Sequence, residues 1–551
     1  MSLSGSGDLV QRPNILMIVL DTQRADRLSC YGATKGTETQ PIMEARPATT
    51  PHLDQFAQHS TLFERAISPA QWTIPAHASM FTGEYPSTHQ VVQADLELGS
   101  DYPTMVEILK KNGYQTIGFC NNPLLGVLKN GLRRGFDTFY NYGGALPTRP
   151  ANGTPLPAPL GWLLEQYTQF WRKLSYPIQN AFAKSDALFQ LALHPWLAPL
   201  WTRLNFKGHT AASLRDVSRF LEQQAQKQAQ KQTQPDKTPP FFCFVNLMET
   251  HLPYWPPEPF IQKFAPYFSQ DRAARDFLRS YNAQPYRWMA PLTDPLSPLQ
   301  LQVLSDIYDA EVAYQDHLLG QLFQTLQSTQ LEDNTLVMVV ADHGEGLGEH
   351  DFVGHAFVVY EELIRVPLII HYPGQTTGER ISTPVSTRRL FHTVLDVAGI
   401  QTRLSRRVQR EIQHLSLRRT DPAQDPEAET VLAEAFPPHI LIRAMQQRES
   451  ELMEQRQCLA TRRAIYQGSH KLVTTGSERQ LYDMSQDPEE VEPIAGSHAA
   501  TEEDRLQHLM QTLIQMAESR RSDGSGGPRQ HNLEAADPDL LQQMQDLGYM
   551  E

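Results

Sequence analysis

Three stretches of this chain, far apart in sequence, share one pattern: a short apolar run that stops at a residue able to bind a metal or move a proton. Asn14 to Leu20 runs into Asp21, Phe241 to Leu247 is followed within four residues by His251, and Thr335 to Val340 leads to Asp342-His343-Gly344-Glu345. Runs of this length, rich in Val, Leu, Ile and Phe, suit strands buried on both faces. An open α/β sheet binds its ligands outside the carboxyl ends of such strands. Asp21, His251 and the Asp342-His343 pair are therefore expected on one rim. Singly, each also reads as an acid capping the next helix or as a satisfied core histidine; the threefold repetition is what points to a site.

A chain of 551 residues is long enough for a large α/β core with one or two appended parts. Its formal charge of −14 and lack of a long basic run argue against a nucleic-acid partner. Cys30, Cys120, Cys243 and Cys458 are widely spaced, and Cys120 and Cys243 fall in strand-like runs, so they read as free thiols and not as a disulfide frame. Only twelve residues precede Pro13, which leaves no room for a signal peptide, and no apolar run approaches the ~18 residues of a membrane span. The expectation is a cytoplasmic protein.

Strand and helix signals alternate from Pro13 to about Tyr140, a doubly wound beginning. From 143 to 237 the character changes, with Pro and Gly first and then Trp162, Trp171, Trp196 and Trp201, so a helical insertion is expected. Within it Trp162, Leu163, Tyr167, Phe170, Trp171 and Leu174 recur at helical spacing. A hairpin packed on the sheet, a hydrophobic lid, and membrane-surface contact through 160–204 are all compatible with that stripe. Glu222 to Gln234 reads as a solvated helix end or a connector. The core resumes at Phe241, with a helix over Leu301 to Leu326 and strands at Thr335 to Val340 and Val366 to Ile370. Beyond it, 401–495 breaks into hairpin-like pieces at Ala464 to Tyr466, Lys471 to Thr474 and Gln480 to Tyr482, which predict a small antiparallel subdomain, and 500–551 forms a helical or flexible tail.

A nucleophile candidate lies in Trp72-Thr73-Ile74-Pro75-Ala76-His77. Pro75 suits the first turn of a helix, which places Thr73 at the helix N-terminus, where free N–H groups and the dipole favour an anion. The plain alternative is a capping threonine.

These residues carry a family resemblance. Asn14-Ile15-Leu16 through Leu20-Asp21-Thr22-Gln23-Arg24, Thr50-Pro51-His52-Leu53-Asp54, the Thr73 segment into Phe81-Thr82-Gly83, His251-Leu252-Pro253-Tyr254 and Tyr308-Asp309-Ala310-Glu311 stand in the order expected of one family. They are followed by Asp342-His343-Gly344-Glu345, Gly348-Glu349-His350, Arg365-Val366-Pro367-Leu368, Lys471-Leu472 and Leu481-Tyr482-Asp483. Together they resemble the sulfatases of the alkaline phosphatase superfamily. The resemblance implies an alkaline-phosphatase-like central mixed sheet flanked by helices over 13–400, carrying the insertion and followed by the antiparallel subdomain.

The departures bear on the chemistry. Sulfatases of the usual kind carry Cys-x-Pro-x-Arg, whose cysteine becomes formylglycine; here Thr73 and His77 stand at its ends, and a threonine cannot yield that aldehyde, so no formylglycine is expected. Other branches of the superfamily use an unmodified threonine in phosphoryl transfer. His355 stands where sulfatases often have a substrate-binding lysine, and Thr22 where many place a second aspartate. The mechanism expected from the resemblance has one divalent metal (Mn, Mg, Ca or Zn) on Asp21, Asp342, His343 and the Thr73 oxygen. Thr73 attacks, and His251 or His355 protonates the leaving oxygen. His77 and Arg24 are candidates for steadying the nucleophile or the anion, with Arg24 equally an ion-pair partner. Neither Asp306, Asp309 nor Asp316 has a histidine four residues on, so one metal is expected. The expected partner is a small anionic ester: a phosphate mono- or diester or phosphonate ester first, a sulfuric ester second. A non-catalytic binding protein on the same fold is the third reading.

Overall fold

A computed structural model describes residues 12–32, 47–126, 128–143, 150, 207–230, 239–283, 292–400, 404–418, 425, 427, 429–439, 442, 450–521 and 529–530. Eight strands form one mixed sheet: β1 (Asn14–Leu20), β2 (Thr61–Phe63), β3 (Gln115–Cys120), β4 (Thr138–Asn141), β5 (Phe241–Leu247), β6 (Thr335–Val340), β7 (Leu368–His371) and β8 (Glu379–Ile381), in the order β8-β2-β7-β6-β1-β5-β3-β4. The run from β6 to β4 is parallel, and β7 turns antiparallel against both β6 and β2. Every residue of β1, β5 and β6 is buried, which is why their sequences are continuously apolar and do not alternate. Register levels the strand ends. Cys120 lies beside Asn246, Asn246 beside Val19, and Val19 beside Val340, so the residues just past these positions emerge at one height.

Of the helices, α1 (Thr73–Thr82), α2 (Thr210–Gln230), α3 (Pro298–Ser328) and α4 (Ser497–Ser519) matter most here. Trp72 enters α1 in an extended conformation and Gly83 leaves it at φ +75°, where a Cβ would strike His392 and Phe391. Ser297 and Gln300 form a capping box that starts α3, with Pro298 in its first turn. α2 carries buried Leu214, Val217 and Leu221, and from Glu222 to Gln230 it continues as a largely exposed helix end, the first of the two readings of that stretch. Trp162, Trp171, Trp196, Trp201 and the rest of 151–206 lie outside the described residues, as does the tail beyond 530.

A second sheet of β9 (Thr430–Ala435), β10 (Arg462–Gln467), β11 (His470–Thr475) and β12 (Glu478–Asp483) is antiparallel throughout. Two-residue loops opening with Gly468 and Gly476, both at positive φ, join its last three strands. One face packs Ala433, Tyr466 and Val473 against Phe357 and Val359, while the other packs Leu432, Ile465 and Leu472 against Leu506 and Met510 of α4. Among the described residues no helix is long and apolar enough to cross a membrane.

Candidate active site

The level strand ends bring together residues more than 300 positions apart. Asp21, directly after β1, is anchored by its N–H to Leu247 O (2.8 Å), and Thr250 Oγ1 donates to its carbonyl (2.7 Å). Asp342 and His343 follow β6, and His343 N–H and Thr22 N–H both donate to Asp342 Oδ1 (2.9 and 3.3 Å). Thr22 is held at φ 59°, a costly conformation for a β-branched residue, and that turn aims its N–H at Asp342. Gly344 is required next, because a Cβ there would land on the Glu362 carbonyl oxygen.

His343 Nδ1 lies 2.9 Å from Gly344 O, so Nδ1 carries the proton and Nε2 offers its lone pair, 3.5 Å from Asp342 Oδ2 and 3.9 Å from Asp21 Oδ1. Burial, then the neighbouring His355, holds His343 well below its usual pKa and hence neutral. Asp21 Oδ1 and Asp342 Oδ2 are buried without a hydrogen-bond partner. Burial and the adjacent Asp21 charge push Asp342 well above the usual carboxylate range. Two crowded carboxylates and a neutral imidazole, their ligand atoms all within 4.8 Å of one another, are a donor set that fits a divalent cation. It is the single such cluster among the described residues.

Thr73 opens α1 against this cluster. Its Oγ1 lies 3.3 Å from His343 Nε2 and 3.4 Å from Asn122 Nδ2, and the side chain is buried. Asn122 is a residue that reading for acids and histidines passes over. It sits just past β3, and its amide also donates to Asp21 Oδ2 at 2.7 Å, seconded by Asn246 at 3.2 Å. Its position matches that of Asp21 and Asp342, since Asn121-Asn122 likewise ends an apolar strand, but its residue type does not single it out.

His77, one turn into α1, bonds Thr73 O through Nδ1 (2.9 Å) and approaches Asp342 Oδ2 (3.4 Å), with its ring edge-on to Phe81 and Phe244. Burial lowers its pKa to about 4. His251 and His355 stand together beside the cluster. Their ring centroids are 5.1 Å apart, and His355 lies 4.6 Å from His343. Burial, then His355, lowers the pKa of His251, whose Nδ1 meets Leu252 O at 2.6 Å. Burial opposes protonation of His355 too, but Glu345, 2.9 Å from its Nδ1, outweighs burial and raises it. Arg24 turns its guanidinium to Asp26 (2.8 Å), Glu349 (2.6 Å) and Glu345 O (3.2 Å), so the structure puts it in the ion-pair role.

A mixed sheet here presents a carboxylate–imidazole cluster able to hold a divalent cation to a hydroxyl at a helix N-terminus, an arrangement suited to ester hydrolysis. Residues 13–400 match the family model described as Sulfatase, and the chain belongs to the sulfatase family. It is 25% identical over 397 residues to YidJ, an uncharacterized sulfatase of Escherichia coli (strain K12), covering 71% of this chain and 69% of that one. It is likewise 25% identical over 398 residues to an ulvan-active sulfatase of Formosa agariphila, covering 71% of this chain and 62% of that one. Among solved structures, the phosphonate monoester hydrolase of Agrobacterium radiobacter shares the fold with a TM-score of 0.59 over 92% of this chain and 96% of that one, at 20% identity.

Proposed function

We propose that the protein hydrolyses phosphate mono- or diesters or phosphonate esters with Thr73 as nucleophile. The observation that carries this reading is the seat of the Thr73 hydroxyl, buried between His343 Nε2 and Asn122 Nδ2 at the first residue of α1. A threonine there cannot become formylglycine, so attack by an unmodified hydroxyl is the chemistry the residue supports. Asp21, Asp342, His343 and the Thr73 oxygen would hold the ion, and no feature of the set selects among Mn²⁺, Mg²⁺, Ca²⁺ and Zn²⁺. When bound, such an ion supplies Lewis acidity at a non-bridging oxygen and lowers the pKa of the hydroxyl.

The chain's own groups do the rest. Asn122 Nδ2 steadies the Thr73 oxygen, and the N–H groups at the start of α1 favour an anion beside it. Thr73 Oγ1 attacks phosphorus in line, and the leaving oxygen departs with its bonding pair and a proton from His355 or His251. One of these imidazoles then takes a proton from the water that releases the product.

The second reading, a sulfuric ester cleaved by the same threonine, draws support from the two related sulfatases. The experiment is a panel of 4-nitrophenyl sulfate, 4-nitrophenyl phosphate, bis(4-nitrophenyl) phosphate and a phenylphosphonate ester, assayed after chelation with each metal added back. Fastest turnover of a phosphorus ester is expected; fastest turnover of the sulfate would establish the second reading, and metal binding without turnover a binding protein. Thr73→Ala should cost more than about 100-fold in kcat, roughly 2.7 kcal/mol of barrier, with circular dichroism unchanged and metal largely retained on the remaining Asp21, Asp342 and His343. Peptide mass analysis should show unmodified threonine at 73 and no aldehyde at any cysteine.

A further inference from the structure

Glu345 is a buried acid that the reaction above leaves without a task. It lies two residues beyond His343, and its Oε1 accepts from His355 Nδ1 at 2.9 Å while Oε2 has no hydrogen-bond partner. A carboxyl buried with half its acceptor capacity unused is costly. What it secures is a ring orientation. With Nδ1 held by Glu345, the far nitrogen of His355, Nε2, is the one left to work, and the ring stands 4.6 Å from that of His343 and 5.1 Å from that of His251. His251 is tied by Nδ1 to a neutral carbonyl, Leu252 O. The two imidazoles therefore differ in their anchors, one a carboxyl group and the other a backbone amide.

We infer that Glu345 is the positioning residue for His355, and that the pair fits the site to esters of ordinary alcohols, such as sugar or alkyl hydroxyls. The inference rests on the proposed function. As Thr73 Oγ1 bonds to phosphorus and yields its proton to solvent, the bond to the leaving oxygen breaks. That oxygen takes the bonding pair and a proton from His355 Nε2, and departs as a neutral alcohol. In the second half, water bonds to phosphorus, gives a proton to His355 Nε2, and Thr73 leaves with its electron pair and recovers a proton from solvent. A 4-nitrophenolate leaves readily without protonation, whereas an alkoxide does not, so a correctly aimed Nε2–H matters far more for alkyl esters.

The test compares ethyl phosphate with 4-nitrophenyl phosphate, or the matching sulfates if the panel selects sulfate, on the full metal-loaded chain. In Glu345→Gln the ethyl-to-nitrophenyl ratio of kcat/KM should fall about tenfold or more, within the range for a positioned general acid. The loss should lie in kcat with KM little changed, and Glu345→Asp should restore part of it. On the ethyl ester the double variant Glu345→Gln/His355→Gln should be no slower than His355→Gln alone. An unchanged ratio, with both esters losing the same factor, would overturn the inference, and so would losses that add in the double variant. Should Glu345→Gln not fold, an unchanged ratio in His355→Gln overturns it equally. Turnover surviving in Thr73→Ala would instead remove the proposed nucleophile, an outcome this ratio does not report.

Discussion

Asp21 and Asp342 bring two buried carboxylates within ligand distance of one imidazole, an arrangement that is unfavourable without a cation and therefore sensitive to single changes. Asp342→Asn or His343→Ala should lower metal occupancy and activity together, because each removes a donor and Asp342→Asn also removes charge. Elemental analysis after dialysis checks this, and stoichiometric metal in both variants would contradict the assigned ligands. Asn122 plays a different part. Its amide reaches both Asp21 Oδ2 and Thr73 Oγ1, so Asn122→Ala should cut kcat by about 10- to 100-fold, as loss of one positioned donor does, while the protein still retains metal. Retained kcat would mean that the amide only props up Asp21. The candidate ligands were legible in the sequence because an acid or histidine at the end of an apolar run is conspicuous. Asn122 was not, because an asparagine in that place is more often a turn residue.

At the scale of elements, the loop after β6 is held from behind. Gly344 N–H donates to Leu363 O (2.7 Å) and Glu345 N–H to Glu362 O (3.1 Å). The Glu362 side chain in turn meets His350 Nδ1 at 3.1 Å, and the His350 ring stacks on Tyr360 with centroids 3.8 Å apart. Burial alone would lower the pKa of His350, but the hydrogen bond and charge of Glu362, with Glu490, raise it to about 9. A folded-state pKa above the unfolded value of about 6.5 means that this histidine contributes its full stabilisation below that value and loses it as pH rises through about 9. His350→Gln should therefore cost about 1–2 kcal/mol of unfolding free energy at pH 6 and much less at pH 10, allowing for partial screening. Urea denaturation at the two pH values measures this, and an equal loss at both would leave His350 only its stacking on Tyr360.

Across the whole molecule, the second sheet is bound to the catalytic core through Glu434 of β9. Its N–H donates to Pro69 O (3.0 Å), close to the entry of α1, and its buried carboxylate accepts from Ser87 N–H (2.9 Å), the Ser87 hydroxyl and Arg463 Nε (3.1 Å). Glu434→Ala leaves those donors unpaired and should cost about 2–4 kcal/mol of stability, read as a lower denaturation midpoint. A midpoint unchanged from wild type would show that apolar packing of β9 to β12 on Phe357 and Val359 suffices to hold the sheet.

The alternation of strands and helices, the hairpin character of β10 to β12 and the candidate ligands Asp21, Asp342 and His343 were written locally, in apolar runs and in the residues that end them, whereas the mixed sheet was implied by the family resemblance. The shortest elements were not written locally: β2 and β8, three residues each, are strands because neighbours supply their hydrogen bonds, and propensity alone does not mark segments so short. The same limit applies to the site. Which oxygen of Asp342 stays free, which nitrogen of His355 meets Glu345, where Arg24 spends its charge and how Asn122 reaches Thr73 all depend on contacts between residues ten to hundreds of positions apart. Residue type names the groups capable of chemistry, but distance and hydrogen-bond partner assign their roles, and only the folded chain supplies those.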